Sequence, residues 1–224
     1  MSEKPQALHA VQVWDLPTRL FHWMLVLLLI AQWWTAEQSS TMDWHLWGGY
    51  AVLALVLFRL IWGIVGSETV RFSQFVRGPG AALEYFKALL RGETPHYLGH
   101  NPMGGWSIVA MLALLLIQTI TGLFANDDIL IEGPLYGWVS KGMSDWLTTV
   151  HKFNFNVLLA MIAVHLAAVF FYLLVKRENL IHPMLNGCKR LRPEQAGQAP
   201  RMANPWLGLA ALVIAVTVVG LLVR

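Results

Sequence analysis

A single cysteine, Cys188, stands among 224 residues, and only 13% of them are charged. The first scarcity excludes a disulfide framework, a cysteine zinc site and an iron–sulfur cluster. The second excludes an ordinary soluble enzyme, because soluble domains carry about 25% charged residues. No internal repeat and no low-complexity stretch is present. The net charge of +3 is too small to argue for a nucleic-acid partner, and the positions of the basic residues carry more meaning than their sum.

Hydrophobic residues make up 56% of the chain and gather into five runs, each near the length of roughly 20 residues that crosses a bilayer. The spans are read as Pro17 to Glu37, Asp43 to Val65, Gly104 to Ala125, Asp145 to Val175 and Pro205 to Val223. Asp15 can cap the first, and Pro17 suits an early helical position. That first run is followed by Trp33, Trp34 and Thr35 rather than a small-residue cleavage pattern, so it reads as a retained span.

Lys4 and Arg19 lie at the start, Arg71, Arg77, Lys87 and Arg91 between spans two and three, and Lys176, Arg177, Lys189, Arg190, Arg192 and Arg201 after span four. The excess of positive charge predicts that these regions are cytoplasmic, with the N-terminus inside and the C-terminus in the periplasm. The acidic connections, with Asp43 and then Asp127, Asp128, Glu132 and Asp145, face outward; their acidity could steer a basic partner, or be no more than a solvated loop. Trp33, Trp34, Trp44, Trp47, Trp62, Trp106, Trp146 and Trp206 lie near span ends and read as headgroup-level residues. Gly80 to Arg91 reads as an amphipathic helix on the inner membrane surface, with Leu83, Phe86, Leu89 and Leu90 on its apolar side, or as a docking helix. The polar segment Arg190 to Arg201 reads as a linker.

Four of the eight histidines fall at hydrophobic depth: His22 in span one, His45 opening span two, and His151 and His165 in span four. Ionisable residues there are costly and mark functional sites. His165 follows His151 by fourteen residues, a rise of about 21 Å and within about 40° of four whole turns, so both rings leave nearly one face at two depths. Spans two and four both begin on the outer side, which puts His45 level with His151. Span one begins on the inner side, which puts His22 level with His165. Two facing imidazoles suit a haem iron between apolar walls, and leave it no open position for oxygen. Zinc would want three or four ligands at one depth, and a proton relay would be expected to include carboxylates, which the spans lack beyond their ends.

Arg59 follows His45 by fourteen residues and reaches the inner level, where a haem propionate would balance it. Arg19 is placed for the same task, or snorkels to the interface. Gly48, Gly49 and Gly122 serve either close helix packing or space for a porphyrin. His9 and His182 read as solvated. His96 and His100, in "TPHYLGHNPMGGW", read as part of a turn, or as a site for a headgroup or a quinone.

"RLFHW" in span one, "WHLWGG" opening span two with Arg59 beyond it, and "VHKFNFNVLLAMIAVH" in span four resemble the bacterial cytochrome b-561 family and the b-type cytochrome subunit of nickel–iron hydrogenases. "GHNP" before span three and "KREN" after span four are similar too. The resemblance implies an all-α integral membrane protein, a four-helix di-haem bundle over residues 1–190. Residues 191–204 then form a cytoplasmic linker, and residues 205–224 add a fifth helix beyond the usual core. It implies two haem b groups, ligated by His22 with His165 and by His45 with His151, with Arg59, Arg19 and Gly49 lining them. It also implies electron transfer across the inner membrane between quinone and a periplasmic partner such as a hydrogenase small subunit, cytochrome c or superoxide. A histidine-based proton or metal-ion transporter and a non-redox membrane anchor are the competing expectations.

Overall fold

The computed structural model describes residues 9–36, 39–93, 97–129, 131–191 and 199–224. Five helices are long and apolar enough to cross a membrane: α1 (Leu16–Ala36), α2 (Met42–Val65), α5 (Pro102–Leu123), α6 (Lys141–Leu174) and α8 (Pro205–Leu222). Shorter helices α3 (Phe72–Phe75), α4 (Pro79–Arg91) and α7 (Ile181–Asn186) lie between them. The expected span ends hold to within a turn or so, and the caps explain the differences. The Asn101 side chain accepts from Gly104 N at 2.7 Å and starts α5 at Pro102. Ser140 caps α6, which therefore begins at Lys141, a turn before Asp145.

An unexpected feature is a two-stranded antiparallel sheet, β1 (His9–Gln12) with β2 (Cys188–Leu191), in an otherwise helical chain. Val13 N and Trp14 N continue the contact by donating to Gly187 O at 2.8 and 3.0 Å. The start of the polar segment after span four is therefore strand rather than linker; residues 192–198 lie outside the described set. The sheet fixes where α1 starts relative to the end of α6, and gathers the basic connections at one end of the bundle.

Asp15 does more than cap α1. Its Oδ1 accepts from Thr18 N at 2.8 Å, and its Oδ2 accepts from the Trp62 indole N–H at 3.1 Å. Trp62 is fully buried, 0% exposed, so it is not a headgroup-level tryptophan as its place near a span end suggested. The indole is drawn inward because a buried carboxylate needs donors that lipid cannot give.

Helix α2 is the centre of the bundle: one face packs on α1, another on α5, and a third on α8. The fifth span thus belongs to the packed bundle, resting on α2 and α1 through Gly208, Ala211, Ala215 and Val219. A Cβ at Gly208 would stand 2.9 Å from Pro17 Cγ, so glycine is what allows α8 to close on α1. Helix α6 packs along α5 and exposes much of its remaining surface, including Val164 and Phe170. The short helix α4 turns Tyr85 inward, where its hydroxyl meets the Tyr172 hydroxyl at 2.6 Å, while Leu83, Phe86 and Leu90 stay exposed on the opposite side.

Midway along the bundle, Val52, Val56, Leu115 and Leu158 form a buried apolar layer. Val52 falls midway between His45 and Arg59, and Leu158 midway between His151 and His165. The layer therefore separates the two levels at which the ionisable side chains sit. Replacing Asp15 by alanine removes the helix cap and strands the Trp62 indole. A loss of about 1–3 kcal/mol is expected, read as a lower thermal midpoint of the detergent-solubilised protein, with Trp62→Phe giving the smaller change.

Candidate functional site

At the end of the bundle away from the sheet, the His45 and His151 rings lie 6.4 Å apart between centroids, at 80° to one another. Each imidazole is held by a backbone carbonyl of the neighbouring helix. His45 Nδ1 lies 3.2 Å from Gln32 O, and His151 Nδ1 lies 2.8 Å from Gln118 O. A carbonyl only accepts, so both Nδ1 atoms carry the hydrogen and both Nε2 atoms carry the lone pair. Gln32 closes its side of the arrangement by donating its side-chain N–H to His45 O at 2.9 Å.

The glycines explain how helices come so near. A Cβ at Gly48 would collide with the Gln32 side-chain oxygen, and one at Gly49 would stand 3.5 Å from Gln32 Nε2. Both glycines therefore face Gln32 of α1, and Gly48 leaves the room it needs beside His45. A Cβ at Gly122 would lie 3.0 Å from His151 Cε1. Gly122 makes space for the histidine ring itself.

At the other level, His22 and His165 come within electrostatic reach of one another across α1 and α6. The His22 ring meets Trp23 edge-on at 4.9 Å, and its buried Nδ1 has no hydrogen-bond partner. Arg59, 3% exposed, lies nearby: its Nη2 donates to Val70 O at 3.1 Å and its guanidinium sits 4.9 Å over the Phe72 ring. Its buried Nη1 is unpartnered. Arg19 directs Nη1 to Leu185 O, and its buried Nε is likewise unpartnered.

His100 joins this level from the connection before α5, which is therefore more than a turn. Its ring packs 4.6 Å from Trp14 and 5.1 Å from Phe75, at the wall of a cavity of about 360 Å³ that Arg71, Gln74, Tyr97 and Arg201 also line. Burial, with Arg59 and Lys189 nearby, holds its pKa down at about 3 and keeps the imidazole neutral. His96 lies outside the described residues. His9 is exposed on β1, and His182 is bound to the Asn186 side chain.

Among the described residues no three or more His, Cys, Asp or Glu side chains cluster as a metal site. The donors come instead in twos, on opposite helices, neutral at the outer level and with unpartnered guanidinium nitrogens near the inner one. A porphyrin supplies four equatorial ligands and two anionic propionates, and asks for two axial donors and cations. The residues fit that group.

Comparison with known proteins decides the family. The family model of prokaryotic cytochrome b561 matches residues 13–187. The chain belongs to the prokaryotic cytochrome b561 family. Similar proteins named "Probable Ni/Fe-hydrogenase B-type cytochrome subunit" occur in Azotobacter chroococcum mcd 1 (24% identity, covering 86% of this chain and 94% of that protein) and in Rhizobium leguminosarum bv. viciae (24%, 83% and 91%). As a member of the cytochrome b561 family, the chain is a multi-pass membrane cytochrome that binds haem b and takes part in electron transfer.

Gln32, Gln118 and Asn154 escape the sequence reading. Their signal was present, since each is a polar side chain inside an apolar run. What the sequence does not show is which of them turns toward a histidine. The native His100 pKa of about 3 lies below the usual 6.5, so the unfolded chain binds the extra proton between those values. Its contribution to stability is complete above about pH 6.5 and is lost as pH falls toward 3, at no more than about 1.4 kcal/mol per pH unit. His100→Phe should flatten that part of the stability profile, measured by thermal melts of both proteins across the range.

Proposed function

We propose that this cytochrome holds two haem b groups, one between His45 and His151 and one between His22 and His165. In this reading it carries electrons across the inner membrane between a periplasmic redox protein and quinone. The observation that carries it is the outer arrangement. Two imidazoles lie 6.4 Å apart between centroids, each with Nδ1 committed to a carbonyl, so that Nε2 is the nitrogen that would bind iron. In His151 that nitrogen accepts from the Gln118 side-chain amide, which would turn away as the iron takes its place. Arg59 and Arg19 offer unpartnered nitrogens to the propionates of the inner group. Gly49 lines the same side of the outer group, facing Gln32 beside His45.

Bound haem supplies reversible one-electron chemistry at its iron. The four histidines would hold the iron, the apolar layer would keep water from between the levels, and the buried arginines would balance the anionic groups. The end that bears Arg71, Arg77, Lys87, Arg91, Lys189 and Arg201 would face the cytoplasm, which leaves the acidic loop of Asp127, Asp128 and Glu132 in the periplasm. The names of the relatives favour a hydrogenase as the redox partner. Residues 1–190 would form the haem-bearing unit, with 191–204 as connection to the helix at 205–224.

Haem quantification against protein, with a reduced-minus-oxidised spectrum, tests the assignment. Two low-spin haems per chain are expected. His45→Ala or His151→Ala should lose one of them, and His22→Ala or His165→Ala the other. Retention of both haems by all four variants overturns the ligand assignment, and colourless protein with histidine-dependent ion flux favours a transporter.

A further inference from the structure

His151 is seated on α5 by a network that reaches beyond its own carbonyl contact. Thr121 Oγ1 lies 3.3 Å from its Nδ1, and the Gln118 side-chain amide lies 3.1 Å from its Nε2. Asn154, one turn along α6, donates to Gln118 Oε1 at 2.7 Å and to Leu114 O at 2.9 Å. Asn154 is 5% exposed on a helix that otherwise turns much of its surface to lipid. A leucine there would bury more apolar surface, whereas a buried amide is tolerated only with its hydrogen bonds made. Both donated bonds go to the helix that carries the His151 carbonyl partner.

We propose that Asn154 is a positioning residue that holds the Gln118 carbonyl against the His151 ring and thereby sets the reduction potential of the haem at the outer level. The inference rests on the ligand assignment proposed above. By bonding both the Gln118 side chain and the Leu114 carbonyl, Asn154 locks the rotation of α6 against α5, so that His151 Nδ1–H meets Gln118 O. Donation of that hydrogen makes the imidazole a stronger base, which favours ferric iron and lowers the potential. Gly122 is the second half of the seat, since a Cβ there would press on His151 Cε1 at 3.0 Å and Nδ1 at 3.3 Å. At the inner level His22 Nδ1 has no such acceptor, so the effect is confined to one haem.

The test uses the purified protein with its haems in detergent, with a redox titration followed optically and the low-spin ferric EPR signals recorded. The outer haem is the component missing from His45→Ala. Asn154→Leu and Gly122→Ala should each raise the outer midpoint and shift its EPR signal while the inner haem stays as it was. Asn154→Gln, which keeps the amide, should restore part of the native position. An outer midpoint and signal unmoved in both Asn154→Leu and Gly122→Ala overturn the proposal. So does an equal shift or joint loss of both haems in both variants, which would mark general packing rather than positioning. Failure of the ligand assignment reads differently: His151→Ala would then keep both haems.

Discussion

A hydrocarbon bilayer offers no hydrogen bonds, and that constraint decides where every polar atom of this chain goes. A buried histidine in such a place has two ring nitrogens to satisfy. At the outer level a neighbouring helix supplies a carbonyl to each Nδ1, from Gln32 to His45 and from Gln118 to His151. The carbonyl settles the tautomer and leaves the other nitrogen as an acceptor, which in His151 meets the Gln118 amide. The same rule at the sheet end drives Trp62 onto Asp15 and Arg59 onto Val70 O. Helix packing follows these commitments, because Gly48 and Gly122 are positions at which a Cβ would press on Gln32 and His151.

Much of this was legible from residue order. Span lengths follow from runs of apolar residues, and the approach of His45 to His151 follows from counting depth along two helices that start on the same side. Depth counting works because an α-helix in a membrane has a fixed rise and little freedom to bend. It carries no information about rotation between helices. For that reason Gln118 and Asn154 do not stand out, and Trp62 reads as an interface residue although its ring turns to the Asp15 carboxylate that caps α1. The strand pair was hidden for a similar reason, since His9–Gln12 and Cys188–Leu191 are too short for their pattern to stand out and become strands only by finding each other. His100 sits in a Gly- and Pro-rich connection, where a turn explains the composition but not the burial.

The arrangement of helices also explains why one span differs from the rest. α2 lies at the centre, so its residues from Val52 to Gly63 are mostly buried. α6 bears two of the four membrane histidines yet packs mainly on α5. Most of its remaining surface is exposed, so few side chains of other helices pack around it. The buried amide of Asn154 therefore takes over part of the orienting work that tight apolar packing does around α2.

The layer of Val52, Val56, Leu115 and Leu158 has a further consequence. None of these four side chains could relay a proton, yet an electron tunnels through aliphatic carbon. An electron that moves between the two levels through this layer travels without a proton from it, along about 21 Å of a hydrocarbon core about 30 Å thick. The membrane voltage acts on that charge with about 1.6 kcal/mol per 100 mV. The voltage thus becomes a reactant, able to retard or favour the transfer by more than a factor of ten per 100 mV.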